Sequence, residues 1–139
     1  MINGNLCTSF KSEILSGTHD LSTDSIRAAL YTSSATLNSG TTAYSATNEI
    51  ATDDGYTTKG VELSGFTVST SGTTAYADWT DATWTFTAER TMRGALIYND
   101  DKSDRAIMVI DFGFDITSSG TFTITFPANT ANSAILRIS

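Results

Sequence analysis

Residues 91–127, TMRGALIYNDDKSDRAIMVIDFGFDITSSGTFTITFP, constrain this chain more than any other stretch. Two apolar runs, Ala95 to Tyr98 and Ala106 to Phe112, flank the polar turn Asn99-Asp100-Asp101-Lys102-Ser103-Asp104. A third run, Thr121 to Phe126, alternates Thr with Phe or Ile. Such a period of two gives a strand one dry face and one wet face. Ala106 to Ile110 is apolar at every position, which predicts cover on both faces, from an N-terminal helix or from a partner chain. Ile107 or Val109 is therefore expected to be buried in one of those two ways.

The remaining segments extend the β pattern. Ile26, Ala28 and Leu30 alternate with Arg27, Ala29 and Tyr31, a first strand entered through the polar turn at residues 20–24. Val61 and Leu63 fall on odd positions, Phe66 and Val68 on even ones, so residues 58–70 need a bulge or bend at Gly65. The turn Ser71-Gly72 then leads to strands at residues 74–79 and 82–87. Pro127 closes the strand of Phe122, Ile124 and Phe126, and residues 134–138 supply the last one. Two helical segments are expected. One covers residues 8–16, with Phe10 and Ile14 on one face, Thr8 or Ser9 as cap and Gly17 as terminator. The other is one or two turns within residues 44–51, capped by Ser45. The sum is an all-β protein of about eight strands with a short N-terminal helix. Its expected architecture is a two-sheet β-sandwich, jelly-roll-like, in one domain spanning residues 1–139. An immunoglobulin-like sandwich is the second choice.

Composition narrows the functional classes. The chain has 25 Thr and 17 Ser against one Pro, and its residues are 40% hydrophobic and 17% charged. Thr is at home on the wet face of a strand, and the apolar residues recur in blocks, unlike those of a disordered chain. Eight basic residues scattered among fifteen acidic ones, for a net charge of −7, provide no footprint for nucleic acid or for anionic lipid. No run approaches the ~18 apolar residues of a spanning helix. The segment MINGNLCTSF has neither a basic nor an apolar region of a signal peptide, so synthesis in the cytosol is expected. Cys7 is the only cysteine, which leaves no intrachain disulfide and no thiolate metal site.

The residue types that carry chemistry are sparse. His19 is the only histidine and no G-x-S-x-G surrounds any serine, so it reads as an exposed loop residue. The turn at residues 99–104 has calcium-like oxygen spacing, but its sixth position is Asp104 rather than Gly and its twelfth is Ile110 rather than Glu. A solvated hairpin turn accounts for it with less. Asp111 interrupts an apolar strand. With Asp115 it would make a carboxylate pair of the glycosidase kind, but a structural pairing with Arg93 or Arg105 is the simpler reading. Trp84 shares a face with Phe86 and reads as core, whereas Trp79, between Asp78 and Asp81, is the one aromatic kept as a surface candidate for sugar or partner contact, with core or interface packing its plainer reading. Residues 1–10 are uncharged before Lys11 and precede the compact pattern. They read as an arm whose Ile2, Leu6 and Phe10 are candidate partner contacts, with a frayed terminus as the plain alternative. No catalytic, cofactor or metal residues are assigned.

The order and spacing of blocks along nearly the whole chain resemble a family of small virion structural proteins of tailed bacteriophages, including capsid decoration or cement proteins. Those blocks are a helix ending in Leu15-Ser16-Gly17, the strand DSIRAALYTS, the segments ATNEI and GYTTKGVELSG, then DATWTF, GALIYND, AIMVIDFG, TFTITFP and a final ILRI. The resemblance implies a noncatalytic β-sandwich on the capsid surface of the virion, with no cofactor. It would bridge major capsid subunits or other virion proteins, and associate with its own copies. Neck, tail or fibre positions, and a carbohydrate-binding receptor tip, are the alternatives.

Overall fold

The fold was described from a computed structural model covering residues 1–139. Its elements in chain order are β1 (Asn5–Leu6), α1 (Thr8–Leu15), β2 (Ile26–Tyr31), β3 (Val61–Glu62), β4 (Thr67–Ser71), β5 (Thr74–Asp78), β6 (Ala82–Thr85), β7 (Arg90–Asn99), β8 (Arg105–Ser118), β9 (Thr121–Ile124) and β10 (Leu136–Ile138). The chain is all-β apart from α1. The ten strands form three antiparallel sheets, in the orders β1-β8-β7-β2-β3, β10-β5-β4 and β6-β9. The sequence reading of about eight strands in two sheets undercounts both.

The five-stranded sheet is built on the β7–β8 hairpin around the polar turn at residues 99–104. Its register places Leu96 between Ala29 and Val109, and Ile97 between Ala28 and Met108, so successive residues supply opposite faces. Both faces are dry through the middle of β2, β7 and β8. A register shift between Ile97 and Tyr98 leaves Ile107 as the extra residue of a bulge, and its carbonyl accepts the Cys7 N–H at 2.9 Å. Ile107 and Val109 are both buried within the single chain, as expected of this strand.

The two faces are covered by different means. On the face of Leu96 and Tyr98 lie residues 31–60, largely without regular structure. Tyr44 stacks on Tyr98 at 4.8 Å, and the Tyr31 hydroxyl donates to the Ser45 carbonyl at 2.7 Å. No helix forms at residues 44–51. Asn48 takes a left-handed φ of 63°, which breaks a right-handed helix, and the Glu49 carboxylate serves distant donors instead. It accepts Tyr44 Oη and Tyr56 Oη, each at 2.5 Å, and the Lys59 N–H at 2.9 Å. On the face of Ile97 and Asn99 lies the loop after α1, and α1 itself packs on β8.

α1 ends as its sequence foretells. Gly17 adopts φ 75°, the Thr18 N–H reaches the Glu13 carbonyl at 2.9 Å and the Gly17 N–H reaches that of Ile14 at 3.3 Å, the Schellman pattern. Its start differs from expectation. Cys7 is the N-cap and provides no side-chain hydrogen bond, because the terminal segment is steered by β1 pairing on β8 rather than by a local cap at Thr8 or Ser9. At Gly65, φ 68°, the chain bends rather than bulges, the second of the two expectations. It leaves the large sheet at β3 and enters the three-stranded sheet at β4.

Candidate interaction surface

An open groove of about 510 Å³ lies between α1 with its following loop and the three-stranded sheet. Its origin is the alternation in that sheet. Val68, Ala77 and Leu136 stand in one cross-strand row, and Thr70, Ala75 and Ile138 in the next row on the same face. Opposite them stand Phe10 and Ile14, one helical turn apart. Phe66 also lines the groove, and its ring tilts against Trp79 at 5.3 Å. The rim stays uncovered: Val68 is 65% exposed and Ile138 57%.

A polar network fixes the helix wall. The Asn99 side-chain carbonyl accepts the Asp101 N–H at 3.1 Å, so its amide NH₂ is the donor to Asp24 Oδ2 at 2.8 Å and to His19 Nδ1 at 3.0 Å. His19 therefore carries its proton on Nε2 and donates it to Glu13 Oε1 at 3.0 Å. Arg105 holds the second Glu13 oxygen, and Lys102 Nζ lies 3.3 Å from Asp24. Burial works to raise both carboxyl groups, but the hydrogen bonds and cations outweigh it and hold Glu13 and Asp24 below their ordinary ranges. His19 is thus a buried strut, not the exposed loop residue the sequence suggested. Its ring packs 5.1 Å from that of Phe10, and its main partner is 80 residues away. Asn99→Leu should leave the buried His19 Nδ1 without its donor and take one hydrogen bond each from Asp24 and the Asp101 N–H, at a cost of about 2 kcal/mol, read as a lower urea midpoint. An unchanged midpoint would show that the network contributes nothing.

The sequence candidates for partner contact fall mostly in the core. Ile2, Phe10 and Trp79 are 3%, 2% and 4% exposed, and Leu6 is half-buried. The terminal segment is neither a free arm nor frayed. The Met1 ammonium donates to the Ala35 carbonyl at 2.9 Å, Asn3 N–H reaches Leu37 at 2.8 Å, and Ile2 bridges to Leu37. Beside the inward-turned Trp79, Asp78 accepts the Trp79 N–H at 2.8 Å and Asp81 accepts that of Phe126 at 2.9 Å. The two carboxylates thus serve the backbone, not a wet aromatic face.

The remaining polar candidates are also engaged. Asp111 pairs with Arg93 Nε at 3.1 Å, as its place in an apolar strand suggested, and also accepts the Gly113 N–H at 2.8 Å. That N–H and the Arg93 guanidinium hold its carboxyl below the usual range, against slight burial. Asp115 is exposed, and neither carboxylate lines the groove. In the acidic turn, Asp100 and Asp104 hold Lys59 Nζ at 3.0 and 3.2 Å, and Asp101 accepts the Ser25 N–H at 2.8 Å.

Cys7 is wholly buried; desolvation first, and the Glu13 charge second, push its thiol up to about 11. In the folded chain it should resist iodoacetamide at pH 8 and react once urea unfolds the protein. Fast labelling of native protein would contradict this. A folded-state value above the ordinary 9.0 favours folding fully below that pH, and this contribution is lost as pH rises toward about 11.

Sequence reasoning did not single out the groove residues Val68, Leu136 and Ile138. The even phase of Phe66 and Val68 marked a face, but only the pairing of β10 with β5 shows that Leu136 and Ile138 join it. No family model, curated protein or solved structure matches the chain.

Proposed function

We propose that this chain is a noncatalytic virion structural protein of the capsid cement or decoration type, bound at the capsid surface and bridging neighbouring major capsid subunits. The observation that carries the reading is the groove between α1 and the three-stranded sheet. It is apolar and open, and the exposed Val68 and Ile138 rim it. Exposed apolar side chains gathered at one rim mark an interaction site more often than a neutral surface. The engagement of His19, Glu49 and Asp111 in structural hydrogen bonds supports binding over catalysis. The order of sequence blocks supports the virion class.

The proposal includes a jelly-roll-like sandwich, with the five-stranded sheet as one layer and the two smaller sheets as the other. Cement proteins must resist the outward pressure of packaged DNA. Sealing a central sheet on both faces supplies a body rigid enough to do so. Many weak contacts repeated over a shell suffice for stable attachment. A neck, tail or fibre position uses the same groove with fewer copies. The glycan-binding alternative loses its anchor, since Trp79 lies in the core.

Counting copies in purified particles by quantitative mass spectrometry tests the proposal. Hundreds per particle are expected. A count on the order of ten would place the chain in a neck or tail ring, and its absence from the particle would overturn the virion reading.

A further inference from the structure

We infer that two copies of this chain pair through the edge strand β4, antiparallel about a two-fold axis at Ser69, to make one continuous six-stranded sheet. Four observations lead there. First, β4 is exposed at each of its five residues, and none of its backbone groups hydrogen bonds to anything but β5. Natural edges are normally blunted by a charge, a proline or a bulge, and Thr67-Val68-Ser69-Thr70-Ser71 has none of these.

Second, the strand is nearly palindromic in chemistry, as a two-fold contact demands. Centred on Ser69, antiparallel pairing sets Thr67 opposite Ser71 of the second copy and Val68 opposite its Thr70. One face then becomes a ladder of hydroxyl pairs. Third, this chain already builds such pairs on its exposed strands. Thr83 meets Thr123 at 3.1 Å between β6 and β9, and Thr91 meets Thr117 at 3.0 Å between β7 and β8. Within the chain, Thr67 Oγ1 accepts from Asn129 Nδ2 at 3.2 Å, which leaves its own proton to donate across the pair.

Fourth, charge selects the place. Two bodies of net charge −7 repel, so self-association needs an uncharged contact. Residues 66–77 contain no ionisable acid or base other than Tyr76. Because directly opposed residues share a face, pairing at β4 puts both apolar grooves on the same side of the joined sheet. The dimer would then engage a shell at two points, which multiplies weak affinity. This last step rests on the virion reading; the pairing itself is a property of the free chain.

The test is sedimentation velocity of the full chain over a concentration series. The wild type should reach a dimer, and added salt should tighten it by screening the net charge. Ser69→Lys and Ser69→Glu each place like charges on the two-fold axis. Each should raise the dimer Kd by about tenfold or more with an unchanged thermal midpoint at dilutions where the wild type is also monomeric, and an equal mixture of the two should recover the dimer. Thr83→Lys, on an exposed position of another strand, should dimerise as the wild type does. On mild oxidation with diamide, Ser69→Cys should give a covalent dimer while the wild type, whose one thiol is buried, should not. A wild type that stays monomeric throughout, or Ser69 variants that dimerise unchanged, would overturn the inference. A monomer that still binds shells would refute the pairing and leave the virion reading standing; a dimer that binds no shell would do the reverse.

Discussion

Gly60→Ala is expected to destabilise the fold by on the order of 4 kcal/mol, among the largest effects any single methyl group can have here. A Cβ at Gly60 would stand 1.8 Å from the Ala28 carbonyl oxygen and 2.8 Å from the Ala29 Cα, both backbone atoms of the buried inner strand β2. Neither can yield without disturbing the large sheet. The residue also sits at φ +74°, a region that costs an L-residue about 1–2 kcal/mol. Its neighbourhood explains why the chain presses so close. Arg27 Nη2 donates to the Gly60 carbonyl at 2.8 Å, and the Tyr98 hydroxyl donates to that of Lys59 at 2.7 Å. The loop is thereby sewn onto β2 and β7. Gly17→Ala is the control. Gly17 has nearly the same φ, +75°, but a methyl group added there would meet nothing within 4 Å. Only the conformational cost of about 1–2 kcal/mol should remain. Urea denaturation of both variants checks the pair, and equal losses would show that the overlap at Ala28 is relieved cheaply.

Trp79→Ala is expected to cost about 4 kcal/mol, in the range for removing a buried aromatic side chain. Trp79 is 4% exposed and packs against Phe66, so its loss would open a cavity beneath the groove. Native domains hold about 5–15 kcal/mol in total, and the variant should therefore unfold at much lower urea. This result separates two views of the residue. A surface platform for sugar rings could be truncated with little effect on folding, whereas a core residue could not. A variant with wild-type stability would return Trp79 to the surface candidates.

Much of the strand pattern was legible because its cause is local. Phe122, Ile124 and Phe126 alternate with Thr and are buried as their period requires. Phe10, Ile14 and Gly17 set out α1 within ten residues. The readings that failed depended on distant partners. His19 looked solvated because its support comes from Asn99, across 80 residues. A helix looked plausible at residues 44–51 because Ser45 could cap it; the Glu49 partners Tyr56 and Lys59, which hold the segment in another course, lie outside that window. Ile2 looked like the root of an arm because a single bridge to Leu37 leaves no periodic mark. The groove was half legible. The face of Phe66 and Val68 could be read from alternation, but its completion by Leu136 and Ile138 comes from pairing the last strand with β5, which no local pattern encodes.

Asp78 and Asp81 teach the same lesson on a smaller scale. Acidic residues beside an aromatic suggest a wet surface, yet both carboxylates here accept backbone N–H groups and Trp79 is turned inward. Residue type alone does not distinguish a solvated carboxylate from one that fixes a strand end.

The most direct test of the proposed binding role is cosedimentation of the purified chain with tailed-phage capsid shells that lack it. Wild-type protein should pellet with the shells. Val68→Asp and Ile138→Asp, at exposed positions on the groove rim, should remain folded and stay in the supernatant. Wild-type protein that fails to pellet, or rim variants that bind as well as the wild type, would contradict the assignment of the groove as the shell-binding surface.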